Sequence, residues 1–279
     1  MDKYFVREKK IKCGKEYMEV DIIPRTDFAE RAVRGHREKK QLLSRPTQIN
    51  LNDKNSKRYA VQLANGNFGL GDYSLTCTYN NKFLPTTLKD AEREIRNFLR
   101  RLATRMKKVG VELKYILVTE FEENEDGTVK TRVHHHLIIN GGLSRDEIEE
   151  VWSKKLKGEK KQSMGFVNVD RLQPNENGLE GLVKYMNKKP VGKKRWSSSR
   201  NLKRPEMTPN DYKYKPKDLE KMAMSNDTGE EYFSKKYPNY FISSIKAKYN
   251  EDTGWHFYLR MWKKLKARKK KRTLNYGQK

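Results

Sequence analysis

Two apolar runs, KYILVTEF (residues 114–121) and RVHHHLII (132–139), flank the turn-rich ENEDGT, and no other feature of the chain narrows its fold so far. Short apolar runs bounded by turn residues read as strands, and the short connection makes them one β-hairpin. The flanking segments extend that hairpin into a sheet. DYSLTCTYN (72–80) alternates, with Tyr73, Leu75, Cys77 and Tyr79 on one side and Ser74, Thr76 and Thr78 on the other. A helix follows: Thr87 with Asp90 forms a variant capping box, Leu88, Ala91, Ile95, Phe98, Leu102 and Met106 repeat at three and four, and the pattern stops near Gly110.

Beyond the hairpin, Ser144 and Glu147 cap a helix expected to run through Ile148, Val151, Trp152 and Leu156. GFVNVDRL (165–172) is a further strand, and GLEGLVKYMNKK reads as a helix stopped by Pro190. The order strand, helix, strand, strand, helix, strand, helix predicts an α+β fold: a central antiparallel sheet with helices packed on one face, and N- and C-terminal additions.

The additions are more polar. KYFV and EYMEVDIIP read as strands, DFAERAVRGHREKKQLL (27–43) as a charged helix, and LNDKNSKRYAVQLA as a helix with Leu51, Tyr59 and Leu63 on one face, ending at Asn65-Gly66. After Pro190, VGKKRWSSSRNLKRPEM reads as a loop. YFISSIKAKYN and WHFYLRMW flank EDTG as a hairpin suited to forming a small β module with the N-terminal strands, and Lys263 to Arg272 is a basic tail. The divisions expected are 1–47 as a basic extension, 48–205 as the functional domain, and 206–279 as hairpin and tail.

Charge points to the partner. Lys+Arg 62 against Asp+Glu 36 leaves +26, more than solubility requires and of the sign that attracts a polyphosphate. Nucleic acid therefore leads; a membrane surface is disfavoured because no basic amphipathic helix carries a continuous apolar face. Cys13 and Cys77 have no CxxC spacing and suggest neither a disulfide framework nor a cysteine zinc site. No window approaches eighteen apolar residues and the N-terminus lacks a signal-like apolar region, so a cytoplasmic location is expected.

Three of the five histidines stand together at 134–136. Strand alternation sends His134 and His136 one way and His135 the other, where a core or helix-contact role is expected. Glu120 follows Ile116 and Val118 on its own strand face, and a hairpin turning about Gly127 sets it opposite His134. Two imidazoles and a carboxylate on one face suit a divalent ion with open positions. A one-residue slip of register would separate them.

With VTEFEENEDGTVKTR before it, VHHHLII resembles the His-hydrophobic-His signature of the HUH endonucleases, although His135 fills the middle place where an apolar residue is usual. DYSLTCTY is similar to their first, strand-borne motif and LVKYMNKKP to their third, a helix bearing Tyr-x-x-Lys. The matches run in order over about residues 70–190. A tyrosine downstream of the histidines resembles rolling-circle replication initiators (Rep) and single-tyrosine HUH transposases rather than relaxases.

The resemblance implies a ferredoxin-like or RRM-like core and a nucleophilic Tyr185 that attacks a single-stranded DNA phosphate. A 5′-phosphotyrosine and a free 3′ hydroxyl would result, the latter open to a polymerase. It implies Mg²⁺ or Mn²⁺ on Glu120, His134 and His136, imidazoles favouring Mn²⁺ of the two. A phenol titrates near 10 and needs help at neutral pH. Lys188 and Lys189, at i+3 and i+4, are placed to give it, and the family pattern favours Lys188. No Walker-type loop is present; NGNFGLGD lacks the following Lys-Ser/Thr.

DNA contact is expected from Lys189, Lys193, Lys194, Arg195, Arg200, Lys203 and Arg204 around a stacking Trp196, the alternative being a solvated loop with Trp196 packed on the core. The partners expected are single-stranded origin DNA and a host helicase and polymerase. A transposase of the same chemistry and a noncatalytic DNA- or RNA-binding protein are the competing readings. The long flanks around the motifs favour an initiator over the compact transposases.

Overall fold

Alternation in DYSLTCT becomes a strand whose odd-numbered residues are buried and whose even-numbered ones stay partly open. The computed structural model describes residues 4–27, 46–121, 124, 132–188 and 196–264. The expected charged helix beyond Asp27, the turn about Gly127 and the tail from residue 265 lie outside them. The chain opens with β1 (Tyr4–Cys13), β2 (Tyr17–Thr26) and helix α1 (Pro46–Asn67). It continues through β3 (Tyr73–Thr78), α2 (Leu88–Lys108), β4 (Tyr115–Glu120), β5 (His134–Ile139), α3 (Arg145–Val151), β6 (Ser153–Lys154), β7 (Gln162–Ser163), β8 (Val167–Arg171) and α4 (Glu180–Met186). It closes with β9 (Ser197–Ser198), β10 (Glu206–Asn210), α5 (Pro216–Ala223), α6 (Glu230–Lys236), β11 (Tyr240–Asn250) and β12 (Gly254–Lys263).

One antiparallel sheet has the order β8-β3-β5-β4-β9, which confirms the α+β class and the hairpin. Helices cover both of its faces, not one as expected. Leu75, Cys77, Leu117 and Leu137 pack against Phe98, Leu102 and Met106 of α2 and against Ile148 of α3. On the opposite face Ile116, Val118 and Ile138 pack against Ala60, Val61 and Ala64 of α1 and Val183 and Met186 of α4. Both alternating sets of the β4–β5 hairpin carry aliphatic residues, so each face must be shielded from water.

A second antiparallel sheet, ordered β10-β1-β2-β12-β11, joins the N-terminal strands to the C-terminal hairpin through β2 and β12. Its core, including Val20, Ile22, Phe257 and Leu259, is closed by Leu219 of α5 and Phe233 of α6. Helix α1 lies between the two sheets. While its apolar side meets the first, Arg58 and Gln62 donate to Glu19 at 2.7 Å each, and Arg58 to Asp21. Carboxylates this buried are tolerable only when paired in this way.

Four local expectations change. Helix α1 begins earlier and runs through Asn65-Gly66, because Gly66 meets the β1–β2 turn: a Cβ there would lie 2.9 Å from the Cys13 carbonyl carbon. Leu51 is half exposed and shares no buried face with Leu63. Helix α3 stops at Val151, since Trp152 turns inward and its Nε1 donates to the Thr78 carbonyl at 2.9 Å, sending the chain into β6–β7 with Leu156 outside the helix. The stretch after Pro190, expected as a loop, supplies the edge strands β9 and β10 to the two sheets.

Candidate active site

Register decides which side chains meet. Glu120 pairs with His134 and Val118 with His136 across β4–β5, while β3 sets Thr78 beside His134 and Thr76 beside His136. Glu120, His134 and His136 therefore share one face at the end of the central strands. Each offers a ligand atom, all lying within 4.8 Å of one another. Glu120 Oε2 is 3.2 Å from His134 Nε2 and 3.6 Å from His136 Nε2.

The outer ring atoms are already engaged. His134 Nδ1 lies 3.1 Å from the Arg132 carbonyl, where only an N–H can be satisfied, and this leaves Nε2 with its lone pair toward Glu120. His136 Nδ1 is 3.2 Å from Thr76 Oγ1. Burial, followed by the neighbouring His134, holds the His136 imidazole below its ordinary pKa and so favours the neutral, ligating form. One carboxylate oxygen and two neutral imidazole nitrogens fit a divalent ion that keeps open positions for substrate. Thr76 went unassigned at the level of sequence; alternation set it on this face, but only the adjacency of β3 and β5 brings it to His136.

His135 points the other way and is fully buried, as expected. Its Nε2 is 2.8 Å from Tyr79 Oη, its Nδ1 is 2.9 Å from Thr119 Oγ1, and Trp152 lies against it. Burial pushes its pKa down to about 3. Since an imidazole titrates near 6.5 in the unfolded chain, the unfolded state alone gains a proton as pH falls below that value. With metal chelated, the contribution of His135 to stability should stay constant above about pH 6.5 and decline by about 1.4 kcal/mol per unit between about 6 and 4. Urea unfolding of the native protein and His135→Gln across this range checks it: the variant should start less stable and show a flatter slope.

Helix α4 carries Tyr185 over the same face. It has seven residues and no side-chain cap of its own, so its position depends on neighbours. Asn65 Oδ1 of α1 accepts the Leu179 N–H at 2.8 Å, Glu180 is paired with Lys184 and with Arg260 of β12, and Trp262 Nε1 donates to the Glu176 carbonyl at 2.9 Å. The helix ends at Met186, ahead of the expected stop at Pro190, because Asn187 leaves helical geometry and its side chain donates to the Val183 carbonyl at 2.9 Å. The Tyr185 ring is 64% exposed, and its centre lies 5.7 Å from that of His136.

Lys188 follows in the exposed turn, its backbone N–H donating to the Tyr185 carbonyl at 3.1 Å. Lys189, Lys193, Lys194 and Arg195 lie outside the described residues. Trp196 is partly buried; its Nε1 donates to Ser56 Oγ at 2.9 Å and its ring lies 6.0 Å from that of Tyr59, so one side of the indole is held by α1. Arg200, Lys203 and Arg204 are exposed, and the Lys203 N–H donates to Asn67 Oδ1 at 2.7 Å.

Residues 72–190 match the family model described as replication-associated protein ORF2/gene II protein. The matched segment is Rep-like: it runs from the start of β3 to just past α4, and the His, His and Glu that it contains fit the HUH motif. No curated protein and no solved structure matches the chain.

Proposed function

From a chain that carries a Rep-like, replication-associated segment, we propose a rolling-circle replication initiator that nicks and rejoins single-stranded DNA through Tyr185. The observation that carries this reading is the convergence of Glu120, His134 and His136 within 4.8 Å of one another, with the Tyr185 ring 5.7 Å from His136.

Each group then has a role. The Tyr185 oxygen attacks phosphorus, the bond to the 3′ oxygen breaks, and the products are a 5′-phosphotyrosine and a 3′ hydroxyl; the phenolic proton leaves to solvent and the departing oxygen gains one. Lys188, in the turn after the nucleophile, offsets charge on the phosphate. Glu120, His134 and His136 hold Mg²⁺ or Mn²⁺, which when bound supplies Lewis-acid polarisation and orientation of the phosphate. Attack of a 3′ hydroxyl on the phosphotyrosine reverses the step and reseals a strand without ATP.

Residues 48–205 perform the chemistry. Arg200, Lys203 and Arg204, with Lys189, Lys193, Lys194 and Arg195, provide phosphate contacts near Trp196, whose open edge is available to a base. A helicase opens the duplex and a polymerase extends the 3′ end. The test is incubation with a random-sequence pool of single-stranded oligonucleotides and Mn²⁺. A denaturation-resistant protein–DNA adduct that disappears with chelator is expected; binding without an adduct, indifferent to metal, would leave a noncatalytic binder.

A further inference from the structure

Beside α4, on the face of the sheet that carries Glu120 and the two histidines, a cavity of about 560 Å³ opens between Ser74 and Asp170 and the Gly181–Leu182 turn of the helix, with Arg145 and Gln173 also in its wall. Its size suits a small-molecule or nucleotide site. Pairing fixes its relation to the candidate active site. Asn168 stands opposite Thr76 and Asp170 opposite Ser74, so the cavity floor begins one pleat repeat, about 7 Å, beyond the row of Thr76 and His136.

The polar side chains of this wall are largely unspent. Asp170 accepts from Asn168 Nδ2 at 2.6 Å and has no cationic partner among the described residues. The Ser74 hydroxyl, the Arg145 guanidinium and the Gln173 amide make no hydrogen bond or ion pair with the described residues. An unneutralised carboxylate is unexpected on the DNA-facing side of a chain with net charge +26, because it repels every phosphate that approaches. It is useful there only against a hydrogen-bond donor. The donors of single-stranded DNA are base edges, and carboxylates accept from the exocyclic amine of cytosine.

We propose that this cavity holds one base of the substrate strand flanking the scissile phosphate. Asp170 accepts from its exocyclic amino group, cytosine being the preferred base, and Arg145 meets the adjoining phosphate. The inference rests on the nicking reading above and adds a source of sequence choice to it: a base without an amino group leaves the carboxylate unmatched and is rejected.

The experiment sequences the DNA captured as covalent adduct from a random single-stranded pool with Mn²⁺, for the native protein, Asp170→Ala and the isosteric Asp170→Asn. The native protein should enrich an amino-bearing base at one fixed offset from the nick. Asp170→Ala should lower adduct yield on the native-preferred sequence by about 5- to 150-fold, the range of one good base contact, while changing yield little on sequences mismatched at that offset. Asp170→Asn should relax the choice at that offset alone. An adduct whose base profile is unchanged in both variants, or a loss equal for every sequence, overturns the inference and leaves the nicking reading standing. No adduct from the native protein overturns both.

Discussion

Tyr185→Phe is expected to remove the covalent protein–DNA adduct, lowering its yield by at least about 10³-fold, while DNA binding and fold are retained. Losing the nucleophile of a covalent mechanism removes the route itself, and such losses reach about 10⁶-fold in a well-studied hydrolase. The substitution is mild. The ring is mostly solvent-exposed and meets His136 through its aromatic body, a contact Phe preserves. No hydrogen bond of the Tyr185 hydroxyl occurs among the described residues, so no buried partner is stranded. Adduct formation on single-stranded DNA with Mn²⁺, read on a denaturing gel, checks the prediction. An adduct of native intensity would place the nucleophile elsewhere.

His136→Ala should have the next largest effect. It removes one of three ligand atoms and opens space beside Thr76, whose hydroxyl then loses its ring partner. A divalent ion contributes several kcal/mol of charge stabilisation in phosphoryl chemistry, so adduct formation should fall on the order of 10³-fold at limiting Mn²⁺ and recover in part at high Mn²⁺. With chelator, native protein and variant should be equally inactive. Isothermal titration with Mn²⁺ provides the second readout: weakened binding is expected, and unchanged affinity would detach His136 from the metal.

How far this site was legible follows from how local each determinant is. Thr87, Ser144 and the alternation of Tyr73 to Thr78 act within a few residues, and the helix caps and β3 stand where those residues indicate. The Glu120–His134 pairing was legible because both lie on one hairpin, where loop symmetry sets the register. Contacts made across strand order were not. Thr76 reaches His136 only because β3 inserts beside β5, and Asp170 approaches the site only through β8 joining β3.

The same limit explains the ends of α3 and α4. Periodicity alone extended them, whereas Trp152 and Asn187 stop them through bonds to residues on the neighbouring strand or one turn back. Two-sided covering of the sheet was implicit in the aliphatic residues on both faces of β4 and β5. It became definite only when α1 came to lie between the sheets, its apolar face on one and Arg58 and Gln62 on the carboxylates of the other.

The central claim is that DNA becomes bonded to the Tyr185 oxygen and to no other residue. Because Lys184 precedes Tyr185 and Lys188 closes the next cleavage, trypsin releases this tyrosine in the tetrapeptide YMNK. Adduct trimmed with nuclease, digested with trypsin and sequenced by mass spectrometry should place a 5′-phosphonucleotide on the tyrosine of that peptide. The same mass on a peptide holding any other tyrosine, or on a serine or threonine, contradicts the account.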